Sequence, residues 1–378
     1  MKHITAVLLA LTLLAASCAP ARAVSTSASS AVLMDVSSGR VLYDQDMHTP
    51  RPIASITKLM TALVAVGSAS DLSREVEVSA QWLDGVEGSS LYLKAGDTFT
   101  LKTLLYGLLL QSGNDAAQVI ACWVAGDLET FAKRMNEKAA ELGMTNTHFE
   151  NPSGLTEEGH YASAYDMALL ACACLADPTI SEICATRTIT LEGRTFTNHN
   201  KLLWLEEDCV GMKTGYTEAS GRTLVSAATR GAQTLVCVTL NDPDDWDDHQ
   251  ALLDYGFDTF PATQLCAQGE VVGQAAVGGS IRPTVSLVAQ GDAWYPLEQG
   301  EELEMQLDVL APLTAPIPQG AQVGTARWVC QGEVVAEMPL LAGESVEDDQ
   351  WRPSWLQRWW MGLWGKTWEP AVPGMGLI

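Results

Sequence analysis

The sequence predicts an α+β protein in which helices and strands share a larger N-terminal domain and a small all-β domain follows. Three observations support this fold class. Apolar residues recur at helical spacing in several runs of the first 260 residues. Two alternating runs, Thr223–Thr229 and Gln233–Leu240, flank a Gly-Ala turn and predict a strand hairpin. From about Thr263 helical periodicity disappears, and short β-like runs recur between Gly and Pro turns.

Length and charge limit the class of function. The chain has 378 residues, enough for two domains and a sizeable core. Its 46 acidic and 22 basic residues give a formal net charge of -24. This charge argues against a nucleic-acid partner, because no basic stripe is available to neutralise phosphates. It predicts a soluble, self-repelling surface.

The N-terminus has the pattern of a targeting segment. Lys2 and His3 precede an apolar run over residues 4–16, and a small-residue site follows at Ala21-Arg22-Ala23. The pattern predicts a secretory signal peptide over residues 1–23, cut after Ala23. The alternative is a lipoprotein-type cut that leaves Cys18 lipidated. In either case the protein is expected to be exported.

The cysteines and histidines predict neither a disulfide framework nor a metal site. The nine cysteines are scattered, mostly in apolar runs, where small buried hydrophobic residues are the simplest interpretation. The six histidines are dispersed, and the sequence contains no Cys-x-x-Cys pair and no His-Glu-x-x-His motif. We therefore expect no metal and no cofactor.

The first candidate catalytic stretch opens a predicted helix, Ile53–Val66, just after Pro52. Ser55 and Lys58 are three residues apart at its N-terminus, so both side chains project from one face. An amine beside a hydroxyl is the arrangement that activates a serine nucleophile. A single Ser-x-x-Lys is weak, because about one chance match is expected in a chain of this length. The alternative is a surface serine beside a solvated lysine.

The second candidate stretch, Ser112-Gly113-Asn114-Asp115, joins two predicted helices, Thr100–Leu110 and Ala116–Val124. Loop residues that rigid helices hold often carry chemistry, so this turn is suited to lining a cleft. The alternative is a helix C-cap glycine followed by an Asn/Asp N-cap.

The third candidate stretch is Gly211–Thr217, which contains Lys213-Thr214-Gly215 and precedes the predicted hairpin. We expect it to form a strand beside that hairpin, with Gly215 allowing another group to approach the backbone closely. The alternative is a solvated strand lysine followed by a glycine turn.

The remaining elements of the larger domain follow from the same periodicities. The predicted elements are a hairpin over Ala31–Asp46, helices over Leu128–Leu142 and Tyr165–Leu175, and two strands within Thr188–Thr197.

The C-terminal part is predicted to be a small β-sandwich over residues 263–345 and an amphipathic helix over residues 350–370. The five β-like runs are Glu270–Val277, Thr284–Val288, Leu303–Val309, Gln322–Val329 and Glu333–Met338. The tail holds six of the 12 tryptophans, with interspersed Arg and Lys and no acid between Trp351 and Trp368. This composition is typical of a helix lying on an anionic membrane surface. The alternative is a helix docked on the β domain.

Taken together and in this order, the three candidate stretches are typical of serine acyl-transferases that include penicillin-binding proteins and class A β-lactamases. The sequence most resembles the low-molecular-weight penicillin-binding proteins that act as serine-type D-alanyl-D-alanine carboxypeptidases. The resemblance covers roughly Ala31–Phe257 and extends more loosely to the tail. The matching segments are Ala54–Ala62, Leu104–Leu109, Gln111–Ala116, Asn151-Pro152, Gly154-Leu155, Gly159–Tyr161 and Gly211–Thr217.

The resemblance implies a β-lactamase/transpeptidase-like domain over residues 24–260 and assigns the catalytic roles. Ser55 is expected to attack the carbonyl between two terminal D-alanines of a peptidoglycan stem peptide, while Lys58 accepts its proton. Lys213 and burial are expected to lower the pKa of Lys58. Asn114 is expected to hold Lys58 and the substrate amide, and Ser112 to relay a proton to the leaving D-alanine.

The resemblance also implies a substrate-binding strand. Lys213 and Thr214 are expected to bind the terminal carboxylate, and Gly215 lies beside them in the same motif. The backbone N–H groups of Ser55 and Tyr216 are expected to form an oxyanion hole. β-Lactams are expected to acylate Ser55. The implied location is the outer face of the cytoplasmic membrane, with the tail helix on the membrane surface.

One feature departs from the family pattern, and two other functions remain open. Some relatives carry an arginine that helps bind the substrate carboxylate shortly before the stretch matching Leu252–Phe257; here Asp242–Asp248 is acidic, with Asp245 in the arginine's place. This puts carboxylate recognition in doubt. The alternatives are a β-lactamase-like hydrolase and a non-catalytic wall-binding protein that retains the fold.

Overall fold

The structure, a computed structural model, describes residues 24–310, 312–350, 352 and 354–366. The predicted signal peptide, Trp351 and the chain after residue 366 lie outside the described residues. The chain divides into two compact units, the first ending at Phe260 and the second beginning at Pro261.

The first unit contains strands and helices in mixed order. Its strands are β1 (Ser30–Asp35), β2 (Val41–Gln45), β3 (Glu75–Glu77), β4 (Thr98–Thr100), β5 (Thr188–Leu191), β6 (Arg194–Thr197), β7 (Cys209–Thr217), β8 (Gly221–Arg230) and β9 (Gln233–Leu240). Its α-helices are α1 (Lys58–Ser68), α2 (Leu101–Leu110), α3 (Asn114–Ala125), α4 (Leu128–Glu141), α5 (Ala164–Ala176), α6 (Pro178–Ala185), α7 (Leu202–Leu205) and α8 (Asp245–Thr259). Short 3₁₀ helices cover Ala54–Thr57 and Ala80–Leu83.

A five-stranded antiparallel sheet organises this unit, in the order β2-β1-β9-β8-β7. The two predicted hairpins are confirmed as β1–β2 and β8–β9. Successive side chains of a strand point to opposite faces of the sheet, and this produces the two-residue period. The strand predicted to carry Lys213 is β7, which pairs with β8 at the edge of the sheet.

The sheet is covered on both faces by apolar packing. Val32 of β1 and Val236 of β9 face the larger core, which contains α1, α2, α3 and α5. Leu33 and Leu235 point the other way and pack with Phe257 of α8. Burying one such side chain contributes about 1.5–3 kcal/mol. Alternate residues of one strand therefore join two different cores.

Three α-helices of this unit were not predicted from the sequence: the four-residue α7 and two longer ones. The first, α6, begins with Pro178, and the Asp177 carboxylate accepts hydrogen bonds from Thr179 N and Ile180 N. The second, α8, has Asp245 and two further acids in its first turn, which favourably oppose the positive end of the helix dipole. The first turn of α8 contains too few apolar residues to show a helical period, and the apolar residues that pack come later in the helix.

The second unit is all-β apart from its tail. Its strands are β10 (Ala262–Cys266), β11 (Val271–Gly278), β12 (Thr284–Ala289), β13 (Ala293–Pro296), β14 (Leu303–Val309), β15 (Leu313–Thr314), β16 (Gln322–Cys330) and β17 (Glu333–Ala342). Six form one sheet in the order β14-β16-β17-β12-β11-β15, and β10 pairs with β13. All five predicted runs are strands. The core contains Trp328 and Leu340.

The described part of the tail forms α9 (Trp355–Leu363). Ser354 and Gln357 form a capping box at its start, and Gly365, with φ of +64°, follows its end. The helix is thus shorter than the predicted 350–370, because left-handed Gly365 does not continue it. In the described part of the chain, no single helix has the length and apolar character needed to cross a bilayer, although the bent pair α5 and α6 meets that test jointly.

Candidate active site

Ser55 lies in the 3₁₀ turn that leads directly into α1. Lys58, the first residue of α1, places its Nζ atom 2.8 Å from Ser55 Oγ. The proximity expected from the three-residue spacing is therefore present, since both residues lie on successive turns of one continuous helical segment.

The amine of Lys58 is fully enclosed by polar partners. Its Nζ atom donates to Asn114 Oδ1 at 2.7 Å and to the Ser153 carbonyl at 2.6 Å. Burial lowers the pKa of Lys58 well below its usual value, and the charge of Lys213 lowers it further, while Asp115 opposes the shift. Such a lysine loses its proton readily, so it can act as a base at neutral pH.

Asn114 begins α3 and is held from its outer side. Its Nδ2 atom donates to the Glu87 carbonyl at 2.6 Å, and its backbone N–H donates to Ser89 O at 2.7 Å. Because both the side-chain Nδ2 atom and the backbone N–H are hydrogen-bonded, the Oδ1 atom is held towards Lys58.

Asp115 anchors the segment over residues 87–93, which also contacts Asn114, and sequence reasoning gave this acid no catalytic or binding role. Its buried carboxylate accepts hydrogen bonds from Ser90 Oγ at 2.7 Å, Leu91 N at 2.9 Å and Leu93 N at 3.0 Å. The available signal was an acid directly before a predicted helix, where an N-cap is the ordinary interpretation. That signal does not reveal which distant segment the carboxylate holds.

Lys213 approaches from the sheet edge. It is 1% exposed, and its Nζ atom donates to Thr214 O at 2.9 Å. Burial lowers the pKa of Lys213 to about 7. Two residues along, a Cβ atom on Gly215 would lie 2.9 Å from Ser55 N. Only glycine therefore lets β7 run this close to the nucleophile, as expected from the sequence, while Tyr216 follows with two thirds of its surface exposed.

Left-handed backbone conformations mark all three motifs. Ala54 precedes Ser55 with φ of +50°, Ser112 itself has φ of +59°, and Met212 precedes Lys213 with φ of +93°. Non-glycine residues adopt such angles at a cost of about 1–3 kcal/mol, and they cluster at functional sites. Ser112 is buried in the turn between α2 and α3.

The turn Asn151–Gly154 supplies the Ser153 carbonyl, a ligand of Lys58 that sequence reasoning missed. Asn151 Oδ1 accepts from Gly154 N at 2.8 Å and fixes the turn. Gly154 has φ of +84°, and a Cβ atom there would lie 1.9 Å from Ala54 O. The signal was the pair of family-matching segments Asn151-Pro152 and Gly154-Leu155, which gave no function to the carbonyl between them.

A neutral histidine supports the 3₁₀ turn that carries Ser55. Glu150 N donates to His160 Nδ1 at 3.1 Å, so Nε2 carries the proton and donates to Thr57 Oγ1 at 2.9 Å. Burial lowers the pKa of His160 to about 4. The imidazole therefore stays uncharged beside Lys58.

Asp245, the acid expected in the place of an arginine, forms an ion pair with an arginine of this chain. Its buried carboxylate accepts two hydrogen bonds from Arg222 Nη2, at 2.6 and 2.9 Å. Among the described residues, no group of three or more His, Cys, Asp or Glu side chains is arranged to hold a metal ion.

Comparison with known proteins adds family relationships to this geometry. The model of the D-alanyl-D-alanine carboxypeptidase family matches residues 16–244, and that of the penicillin-binding protein 5 C-terminal domain matches residues 260–348. The chain is 32% identical to the D-alanyl-D-alanine carboxypeptidase DacF of Bacillus subtilis, over 85% of this chain and 86% of DacF. It is 34% identical to DacC of Escherichia coli, over 89% of this chain and 86% of DacC.

A solved structure agrees with the sequence matches. Penicillin-binding protein 5 from Haemophilus influenzae superposes with a TM-score of 0.73 at 26% identity, covering 87% of this chain and 100% of that chain. The transpeptidase-like fold and the all-β domain expected from the resemblance are thereby confirmed. The chain belongs to the D-alanyl-D-alanine carboxypeptidase family.

Proposed function

We propose that this serine carboxypeptidase removes the terminal D-alanine from peptidoglycan stem peptides ending in D-Ala-D-Ala, through an acyl-enzyme on Ser55. The observation that carries the proposal is the 2.8 Å contact between Ser55 Oγ and the buried amine of Lys58, whose pKa is lowered. A hydroxyl next to such an amine can be deprotonated as it attacks.

In the acylation step, Ser55 Oγ bonds to the carbonyl carbon between the two D-alanines, and its proton passes to Lys58 Nζ. Collapse of the tetrahedral intermediate breaks the C–N bond, and the leaving D-alanine amine takes up a proton through Ser112. Asn114 keeps Lys58 in place during the transfer, as its 2.7 Å hydrogen bond indicates.

The negative charge that develops on the substrate's carbonyl oxygen must be stabilised by hydrogen-bond donors. We assign this role to the backbone N–H groups of Ser55 and Tyr216, which is supported by the close approach of Gly215 to Ser55 N. An edge strand such as β7 presents backbone groups that the sheet leaves unpaired.

The substrate carboxylate is proposed to bind to Lys213 and Thr214. Lys213 is buried at the end of the site, and an incoming carboxylate stabilises its protonated form. Hydrolysis of the Ser55 ester by water then releases the shortened peptide and regenerates the hydroxyl. β-Lactams are proposed to acylate the same oxygen and to leave slowly.

The test is an intact-mass measurement after incubation with benzylpenicillin, followed by a D-alanine release assay on a stem pentapeptide. We expect a stable adduct and D-alanine release, both lost in Ser55→Ala. Thr61→Ser, on the next turn of α1 and hydrogen-bonded to Pro152 O, is a matched control that leaves the nucleophile intact. A folded protein without an adduct would contradict the proposal, and rapid penicillin turnover would favour the β-lactamase alternative.

The protein is proposed to act after export, with residues 1–23 removed and α9 lying on the anionic outer face of the cytoplasmic membrane. Within its own unit, α9 and the residue that follows it expose four tryptophans, Trp355, Trp359, Trp360 and Trp364, by 75%, 61%, 59% and 71% of their surfaces. Tryptophan rings prefer the membrane interface, so such a helix gains free energy on binding there.

Sedimentation with anionic vesicles tests the tail. We expect the mature protein to co-sediment and a version ending at Gln350, which retains the pairing of Val346 with Ile317, to stay in solution. Replacing Trp359 and Trp360 by Ser should weaken binding without affecting D-alanine release. Equal binding by the truncated protein would exclude the role of the tail, and membrane retention only in cells would point to lipidated Cys18.

A further inference from the structure

Asp245, the acid at the start of α8 that the resemblance sets in the place of an arginine, is paired with an arginine on β8. Arg222 lies on β8, and its Nη2 atom is bound by both carboxylate oxygens of Asp245. The side chain of Asp245 is 3% exposed and that of Arg222 is 41% exposed. The acid is therefore buried behind the guanidinium, and the positive group is the one that reaches solvent.

The register of the sheet places Arg222 at the active-site end of β8. Arg222 is directly opposite Tyr216, and Leu224 is opposite Thr214. Directly paired residues share a face of the sheet, and diagonal neighbours about 7–8 Å apart are within reach of a long side chain. Arg222 therefore lies on the same face as Thr214, one diagonal step from one of the two residues proposed to bind the carboxylate.

The contacts of β8 show which face this is. Ser226 Oγ lies 2.5 Å from His249 Nδ1, and Arg230 Nη2 donates to Asp254 at 2.8 Å, so alternate residues of β8 face α8. Thr223, the neighbour of Arg222, points the other way and donates to Ile53 O at 3.0 Å, beside Ser55. Arg222 thus flanks β7 from the α8 side and Ser55 flanks it from the other, and because β7 is the edge strand of the sheet, a group bound alongside it can be reached from both faces.

The guanidinium is oriented but not saturated. Asp245 engages only Nη2, and Arg222 Nε is buried without a hydrogen-bond partner in the described part of the chain. The ring of Trp246 lies 5.4 Å from the guanidinium carbon, which restricts the side chain further. A second cation, Lys201, lies 5.9 Å from the same ring. Because Nε is buried and Nη2 binds Asp245, the donor left for an incoming carboxylate is Nη1, which makes no hydrogen bond in the described part of the chain.

We propose that Arg222, positioned by Asp245, completes recognition of the substrate's terminal carboxylate in this chain and makes the enzyme selective for peptides with a free C-terminus. This inference rests on the proposed function. It assigns Asp245 a positioning role, whereas the sequence alone suggested that this acid would weaken carboxylate binding.

The experiment compares a diacylated L-Lys-D-Ala-D-Ala peptide with its C-terminal amide, measuring kcat and KM for each. In Arg222→Gln we expect kcat/KM for the free acid to fall about 10- to 100-fold, as for loss of a charged hydrogen bond, with most of the change in KM. The value for the amide should change less than about twofold, because it carries no charge to recognise. Arg222→Lys should recover part of the loss.

Matched variants separate this role from a structural one. Arg230→Gln removes an arginine of similar exposure from the other end of β8, where it pairs with Asp208 and Asp254. It should leave the preference for the acid intact. The double variant Arg222→Gln/Asp245→Asn removes the newly unpaired acid, and the selective loss should persist because the cation is still missing.

The outcomes separate the role of Arg222 from the carboxypeptidase activity itself. Equal losses on acid and amide in Arg222→Gln, or full recovery in the double variant, would overturn the role of Arg222 while leaving the carboxypeptidase intact. A wild-type protein that cleaves neither peptide would instead contradict the proposed function. Circular-dichroism melting of each variant confirms that the comparison is made between folded proteins.

Discussion

Replacing Gly154 by alanine tests whether a backbone contact sets the position of the nucleophile. The Cβ atom would lie 1.9 Å from Ala54 O, whereas real Cβ contacts essentially never fall below 3.0 Å. The turn and the Ala54 carbonyl must therefore separate by about 1 Å. Since Ala54 precedes Ser55, the strain is relieved by moving the nucleophile or the Ser153 carbonyl that binds Lys58.

The magnitude follows from two contributions. The left-handed φ of +84° costs an alanine about 1–2 kcal/mol, and the overlap costs about 1–3 kcal/mol more. We therefore expect Gly154→Ala to lower the free energy of unfolding by about 2–5 kcal/mol. A displacement of about 1 Å at a reacting atom can slow catalysis about 100-fold, so acylation should slow by at least that factor.

The assay is the rate of benzylpenicillin acylation by intact mass, alongside urea unfolding. Gly143→Ala is the matched control, because Gly143 has φ of +74° and a Cβ atom there meets nothing within 4 Å. It should lose about 1–2 kcal/mol of stability and keep the wild-type acylation rate. If Gly154→Ala acylated at the rate of Gly143→Ala, the contact with Ala54 would not control the geometry of Ser55.

Three further predictions concern buried charges. Because burial lowers the pKa of Lys213 to about 7, kcat/KM for a peptide with a free carboxylate should fall as pH rises through about 7, and the C-terminal amide, measured in the same buffers, should lack this limb. Burial raises the pKa of Asp242 to about 6, so between about pH 4 and 6 the folded state holds a proton that the unfolded state has lost. The free energy of unfolding should therefore fall as pH rises through this range. Asp242→Asn should remove this slope, which is worth about 2–3 kcal/mol in urea unfolding. Asp115→Ala leaves Leu91 N and Leu93 N without their partner, so it should cost about 2–5 kcal/mol of stability and slow acylation; unchanged unfolding would contradict the anchoring role.

Much of the first unit could be predicted from the sequence because its signals are local. The period of two in β8 and β9 and the helical period in α2 reflect which faces become buried. The α8 helix was not predicted, because its first turn is acidic and its packing face consists of residues such as Leu253 and Phe257 that begin a turn or more later. The tail helix was predicted too long, since Gly365 follows its end.

The candidate site divides in the same way. The contact of Ser55 with Lys58 depends on a three-residue spacing and was expected from it. The Ser153 carbonyl reaches the same amine across 95 positions, and no local pattern marks a carbonyl as a ligand. Asp245 was interpreted as an unfavourable charge because its partner, Arg222, is 23 positions away on another element.

The sequence by itself determined which residue types are present, their order, and the pairs that one helical turn brings together. Only the tertiary structure decided what those groups can do. Burial at the meeting of α1, α3 and β7 lowers the pKa of Lys58 and Lys213, and desolvation is a property of the packed surroundings that no short segment contains. In the same way, the charge that Asp245 presents depends on the strand against which α8 packs.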